Sequence, residues 1–179
     1  MIINKHHILA PTQIIDTQLG IPQGYKQECI NEIYKIGNSI ESTPDQKSNL
    51  YAIRSTYKIY EETEVLNQLF DNIVSTINDV YKDEYKDRIF LLANAWSAIY
   101  KKDSYANSHN HIPYNWAFIY YLQSNGDTPL IFNEINLRIN PKDDMLIIFP
   151  SYLVHSVPPH EGDKDRICVA GNINLEHKK

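Results

Sequence analysis

Residues 89–100 read IFLLANAWSAIY, and this run decides the fold because its isoleucine and aromatic side chains favour a strand over a helix. Five further short runs of the same kind follow, at residues 116–122, 130–132, 136–139, 145–149 and 167–175. Turn signals such as Pro158-Pro159 separate them. Short strands at regular spacing with glycine and proline turns are typical of a sandwich or barrel, so we predict one here.

The first half of the chain has a different pattern. Apolar side chains recur at three- and four-residue steps over residues 65–81, and less strongly over residues 25–36, which predicts two amphipathic helices. A short strand and a turn are predicted within 8–21, a strand at 50–59 and a loop at 38–49. Helices before strands indicate α+β order, with the helices packed outside a mainly β core. We expect one domain over 1–179, with helical support and outer strands at 1–87 and the barrel core at 88–175.

Composition excludes several classes of function. The formal net charge of −5 argues against a protein that binds nucleic acid through its phosphates. Two distant cysteines, Cys29 and Cys168, are too few for a disulfide framework or a thiolate zinc site. No apolar run approaches the ~20 residues that span a bilayer. We therefore expect a cytoplasmic protein without membrane or nucleic-acid partners. The sequence leaves its oligomeric state open, a homodimer included.

Three of the seven histidines have the spacing of a metal site. His109 and His111 lie two residues apart and share a face if the segment is extended, because side chains alternate along a strand. His155 follows another apolar run and precedes Pro158-Pro159, near a predicted strand end. Neutral imidazoles bind iron, zinc, copper or nickel, and the spacing does not choose among these metals.

The order of motifs from residue 88 to 175, about half the chain, resembles the 2-oxoglutarate- and Fe(II)-dependent oxygenase superfamily. It is most similar to small oxygenases of bacteria and phages related to prolyl hydroxylases. The motifs in order are His109-Asn110-His111, residues 118–122, 129–132 and 139–151, His155-Ser156-Val157-Pro158, Gly162 and Arg166-Ile167-Cys168.

The resemblance implies a double-stranded β-helix, a jelly-roll or cupin-like barrel, with Fe(II) and 2-oxoglutarate as cofactors. It also implies a role for each matching residue. His109, His111 and His155 fall on the H-x-D/E…H iron triad. Arg166 matches the residue that pairs with the distal carboxylate of 2-oxoglutarate, where a guanidinium fork gives two charge-assisted hydrogen bonds. Tyr121 matches a tyrosine that donates to the same carboxylate, and Tyr100 is a further candidate. Four side chains are candidates for the pocket lining: Asn94, Trp96, Trp116 and Asn172.

The sequence departs from this family pattern at two positions. Cys168 stands where the family often has serine, two residues after the arginine. His111 stands where the family has aspartate or glutamate. Three alternatives follow for His111: a working three-histidine site, a carboxylate supplied from elsewhere, or a site that has lost metal binding or oxygenase activity. The candidates for the second alternative are Asp103, Asp127 and Glu134.

The implied activity is hydroxylation of a C–H bond with release of succinate and carbon dioxide. The sequence does not identify the substrate, which in related enzymes ranges from small molecules to peptides and proteins. Two alternatives stay open at this point. One is a three-histidine cupin-type dioxygenase that does not use 2-oxoglutarate. The other is a non-enzymatic binding module on the same barrel, with the helix face around Leu69 and Phe70 as its partner surface.

Overall fold

The computed structural model describes residues 13–39, 49–124, 126 and 128–178. The two helices are α1, Gln23–Ser39, and α2, Glu64–Tyr81. The strands are β1 Ile15–Gln18, β2 Leu50–Tyr51, β3 Ile53–Arg54, β4 Arg88–Tyr100, β5 Tyr105–His109, β6 Trp116–Gln123, β7 Leu130–Phe132, β8 Leu137–Ile139, β9 Met145–Pro150, β10 His155–Val157 and β11 Arg166–His177.

The strands form two antiparallel sheets. The larger has the order β1-β9-β6-β11-β4-β3, and the smaller has the order β2-β5-β10-β7-β8. Apolar side chains from both sheets meet in one buried cluster that includes Phe149 from the larger and Phe132 from the smaller. The predicted double-stranded β-helix with supporting helices is therefore confirmed.

The period of two along β6 and β11 divides the core into two layers. On β6, Phe118 and Tyr120 face the helices, whereas Ile119 and Tyr121 face the inside of the barrel. On β11, Cys168 lies in the inner layer. These strands lie next to each other at the centre of the larger sheet, so inward side chains of both reach the same interior.

The outer layer is closed by α2. Thr63 caps this helix through a hydrogen bond from the Leu66 amide at 3.2 Å. The buried face of α2 includes Leu69 and Phe70, which are 0% and 2% exposed, because it packs on the larger sheet. This face is core, so the hypothesis that it is a partner surface is wrong.

The predicted helix at 25–36 is confirmed but is longer, since α1 begins at Gln23 and continues through Gly37 to Ser39. A Cβ at Gly37 would lie 3.0 Å from Ile99 and 3.2 Å from Ile53, so this glycine lets α1 approach the larger sheet closely. Residues 8–12 of the first predicted strand and 40–48 of the predicted loop lie outside the described residues.

The single strand predicted at 50–59 is wrong in its extent. β2 pairs with β5 in the smaller sheet, and β3 pairs with β4 in the larger one. A short 3-10 helix follows at Ile59–Glu61. The chain passes from the smaller sheet to the larger one at Ala52. Apolar and polar side chains alternate only loosely here for that reason, and this alternation does not show that the sheet changes. Among the helices in the described part of the chain, none has the length and apolar character needed to cross a membrane.

Candidate active site

The smaller sheet places the three histidines of the predicted triad together. His109 ends β5 and His155 begins β10, and these two residues are directly opposite each other in the antiparallel pair. His111 lies just beyond β5, where its amide donates to the Ser151 carbonyl at 2.7 Å. The ligand atoms of the three imidazoles lie within 4.8 Å of one another. The predicted convergence of H-x-H with the distant histidine is therefore what the structure shows.

Each imidazole has its Nδ1 against an oxygen atom that accepts a hydrogen bond. The partners are the Asn107 carbonyl at 2.7 Å for His109, the Asn172 side-chain oxygen at 2.7 Å for His111 and the Leu153 carbonyl at 3.0 Å for His155. Because these oxygens only accept, each Nδ1 carries the proton and each Nε2 has a free lone pair.

Two of these lone pairs face each other, since the Nε2 atoms of His111 and His155 are 3.2 Å apart. Two acceptors at this distance repel unless a cation lies between them. Two nitrogens about 2.1 Å from one metal ion lie about 3.0 to 3.4 Å apart at octahedral or tetrahedral angles. The donor set therefore fits a divalent metal with imidazole preference, such as iron, zinc or nickel.

Burial keeps these imidazoles neutral. It lowers the pKa of His111 to about 4, helped by the neighbouring His109, and lowers the pKa of His155 and His109 below the ordinary value. Aromatic rings form this environment: Trp96 stacks on His111 at 5.7 Å, and Phe149 meets His155 edge-on at 4.8 Å. Neutral imidazole is the form that binds metal.

The lowered pKa predicts acid sensitivity of the metal-free protein. His111 titrates near pH 4 when folded and near 6.5 when unfolded, so between these values the unfolded chain binds more protons. The contribution of His111 to the free energy of unfolding is therefore full above about pH 6.5. It falls by about 1.4 kcal/mol per pH unit as the pH drops below that value. Urea unfolding from about pH 7 to about pH 5 measures this slope. The His111→Gln variant should show a shallower slope, and an unchanged slope would contradict the assignment.

The alternative of a carboxylate from elsewhere receives no support from the described residues. Their one candidate metal group consists of the three histidines, without Asp103 or Glu134. Both of these acidic residues are exposed. Asp127 lies outside the described residues.

Arg166 begins β11 and enters the same interior from the larger sheet. It is 2% exposed. Its Nη1 donates to the Thr128 carbonyl at 2.9 Å, and its Nη2 donates to the Tyr121 hydroxyl at 2.9 Å. Its Nε has no hydrogen-bond partner among the described residues. A buried guanidinium that contacts only neutral groups, with its Nε–H unpaired, is costly unless an anion joins it.

Tyr121 and Tyr100 flank the guanidinium. The Arg166 carbon Cζ lies 4.7 Å from the Tyr121 ring centre and 5.1 Å from that of Tyr100. Burial raises the pKa of Tyr121 to about 12 and raises that of Tyr100 as well, so both hydroxyls stay protonated. Because Tyr121 accepts from Arg166, its own O–H is available to donate to an anion. Burial also raises the pKa of the nearby Cys168 thiol to about 11, which leaves it neutral.

One cavity of about 470 Å³ joins the histidines to the arginine. All six predicted site residues line it, as do three of the four predicted lining residues: Asn94, Trp96 and Asn172. Trp116 was the wrong choice. It packs on Tyr81 of α2 at 4.8 Å, because its position on β6 points to the helix layer rather than to the interior.

Two residues that support Arg166 were not found from the sequence. The Thr128 hydroxyl lies 3.0 Å from Nδ1 of His160, and Nε2 of that histidine lies 2.8 Å from the Lys164 carbonyl. The buried His160 thereby fixes the position of Thr128, whose carbonyl accepts the hydrogen bond from Arg166. It stands between Pro158-Pro159 and Glu161-Gly162, which look like turn residues, so no local pattern distinguishes it.

Comparison with known proteins agrees with this geometry. Residues 132–172 match a family model described as "Putative 2OG-Fe(II) oxygenase". The resemblance to 2-oxoglutarate- and Fe(II)-dependent oxygenases is confirmed. The matched segment contains His155 and Arg166 but not the H-x-H pair. No curated protein sequence matches the chain.

Solved structures of two prolyl hydroxylases and of HygX share the fold over most of the chain. The viral collagen prolyl hydroxylase of Paramecium bursaria Chlorella virus-1, in complex with 2-oxoglutarate, is 18% identical with a TM-score of 0.65, covering 89% of this chain and 94% of its own. The Pseudomonas putida prolyl-4-hydroxylase is 14% identical with a TM-score of 0.68, covering 90% and 91%. HygX from Streptomyces hygroscopicus, with nickel and 2-oxoglutarate bound, is 12% identical with a TM-score of 0.67, covering 91% and 83%. At these identities the likeness concerns the fold.

Proposed function

We propose that this protein is a 2-oxoglutarate- and Fe(II)-dependent oxygenase that hydroxylates a C–H bond and releases succinate and carbon dioxide. One observation carries the proposal: the buried Arg166, with an unused Nε and no acidic partner among the described residues, shares a cavity with three convergent imidazoles. That pairing suits a ligand with a metal-chelating end and an anionic end, as 2-oxoglutarate has.

The residues divide this work between them. His109, His111 and His155 would hold Fe(II) through their Nε2 atoms. Arg166 would pair with the distal carboxylate of 2-oxoglutarate, and Tyr121 would donate its hydroxyl proton to the same group. The bound iron and 2-oxoglutarate supply the oxidising chemistry. Trp96 stacks on the His111 ring and Phe149 meets it edge-on, which gives this imidazole an apolar environment.

The absence of a carboxylate ligand changes the charge of the site. Three neutral imidazoles leave the ion's full +2 charge, whereas the usual aspartate or glutamate would reduce it to +1. The site therefore attracts the two carboxylates of 2-oxoglutarate more strongly. For the substrate we propose a small molecule, a peptide or a protein, and the acidic net charge of −5 disfavours nucleic acid.

Anaerobic titration tests the cofactor assignment. We expect a visible metal-to-ligand absorption band when Fe(II) and 2-oxoglutarate are both present, and no band with either alone. Under air the same mixture should release succinate with consumption of oxygen. A protein that binds Fe(II) tightly but gives neither signal would favour the three-histidine cupin-type dioxygenase, in which a substrate chelates iron itself and Arg166 has no role.

The His111→Asp variant ranks the alternatives for the third ligand. We expect it to retain Fe(II) but to bind 2-oxoglutarate about tenfold more weakly or worse, because the carboxylate lowers the charge of the site and Asn172 loses its partner. The measurement is the 2-oxoglutarate concentration dependence of the absorption band. His111→Gln is the neutral control. An inactive wild type that gains succinate release on this substitution would show that three histidines are not a working site.

A further inference from the structure

Beside His111, three polar side chains of the cavity wall form a hydrogen-bonded chain, in which Asn172 is buried and Asn94 and Tyr114 are half-buried. The Asn172 side-chain oxygen accepts a hydrogen bond from Nδ1 of His111 at 2.7 Å. The Nδ2 of Asn172 donates to the Asn94 side-chain oxygen at 2.8 Å. The Nδ2 of Asn94 then donates to the Tyr114 hydroxyl at 2.6 Å. We call these three residues, Asn172, Asn94 and Tyr114, the amide relay.

The strands hold the amide relay in register. Asn172 and Asn94 are directly opposite each other on β11 and β4, immediately before a shift in the register of that pair. Such shifts re-aim side chains next to sites. Gly171 of β11 lets this strand approach Asn94 and Phe118 closely. A Cβ at this position would lie 2.9 Å from the Asn94 carbonyl oxygen and 2.6 Å from the Phe118 ring.

The direction of the amide relay decides which nitrogen of His111 binds a metal. As arranged, Asn172 presents an oxygen, so the proton is on Nδ1 and Nε2 has a lone pair for the ion. With both amides reversed, Asn172 would present its NH₂ group. His111 would then carry its proton on Nε2, the atom 3.2 Å from Nε2 of His155, where the proton blocks the metal.

We propose that Asn172, held by its hydrogen bond to Asn94, is the positioning residue that makes His111 a metal ligand. This proposal rests on the metal site described under Proposed function. It also explains how histidine takes the place of a carboxylate here: an imidazole ligand needs an acceptor for its second nitrogen, whereas an aspartate ligand does not. The 5% exposed Asn172 and the family departure at His111 therefore form one functional unit.

Titration of the metal-free protein with Co(II) alone tests the proposal, using the Co(II) absorption bands as the readout. We expect Asn172→Leu, which has no acceptor, to weaken Co(II) binding about 10- to 100-fold. Asn172→Asp retains an acceptor and should retain most of the affinity. Asn174→Leu is the matched control on the same strand and should bind as the wild type does.

A double-mutant cycle separates positioning from a general structural effect. In a His111→Asp background the third ligand needs no acceptor, so Asn172→Leu should cost little affinity there. An equal loss in both backgrounds would overturn the proposal, as would wild-type affinity in Asn172→Leu.

If Asn172→Leu does not fold, Asn94→Leu takes its place. Weakened Co(II) binding with the fold retained supports the relay, and wild-type affinity overturns it. A wild type that binds no Co(II) overturns the proposed metal site and this inference with it, whereas a binding wild type with an indifferent Asn172 overturns only the inference.

Discussion

Replacing Arg166 by methionine should lower the affinity for 2-oxoglutarate about 100-fold or more while Fe(II) binding stays as in the wild type. The guanidinium is the cation that we assign to the distal carboxylate, and a hydrogen bond to a charged group contributes about 1.5 to 3 kcal/mol. Two such bonds therefore account for at least this loss. The anaerobic absorption titration measures 2-oxoglutarate binding, and metal content after dialysis against Fe(II) measures iron binding on the same preparation.

Arg166→Lys and Arg138→Met sharpen this experiment. Lysine keeps the positive charge but has no planar fork. It cannot donate to the Thr128 carbonyl and the Tyr121 hydroxyl and also pair with a carboxylate through two hydrogen bonds. Most of the loss in 2-oxoglutarate affinity should therefore remain. Arg138 is an exposed arginine on β8, and its replacement should change nothing. Unaltered 2-oxoglutarate binding in Arg166→Met would remove the cosubstrate from the proposed function and favour the cupin-type alternative.

The His155→Ala variant should lose metal binding and, with it, about 1,000-fold or more of the succinate release. His155 is one of two facing ligands on paired strands, and alanine leaves only His109 and His111. Removing the iron removes the oxidising chemistry rather than a single contact, which is why the expected effect exceeds that at Arg166. Metal content after dialysis against Fe(II) or Co(II) provides the direct measurement.

A histidine far from the cavity provides the control for this variant. His177 is exposed near the end of β11, and its replacement by alanine should leave metal content and turnover unchanged. Thermal unfolding of both variants shows whether the fold is retained. A folded His155→Ala protein that binds Fe(II) like the wild type would contradict the three-histidine site.

Much of the site was predicted from the family resemblance, and period two added only that His109 and His111 share a face. Tyr121 and Arg166 were identified by motif order, and the structure places both in the interior with the triad. Trp116 shows the limit of this reasoning: inward and outward positions of β6 look alike in composition, because the helix layer and the barrel interior are both apolar.

The remaining features depend on contacts that are distant in sequence. His160 reaches Thr128 across 32 residues, and Asn172 reaches Asn94 across 78. Neither pair has a local pattern, since asparagine and histidine beside turns or within strands have many structural roles. Likewise, nothing in the composition of residues 50–59 reveals that the chain passes from one sheet to the other.

The two sheets contribute different halves of the site. His109 and His155 are on the smaller sheet, whereas Arg166 and Tyr121 are on the larger one. A molecule that reaches both the metal and the guanidinium therefore ties the sheets together, and each bound component favours the geometry that the other needs. Such coupling is reciprocal: iron must tighten 2-oxoglutarate binding by the same factor by which 2-oxoglutarate tightens iron. Under the proposed function, the barrel would therefore retain its iron more firmly when 2-oxoglutarate is abundant.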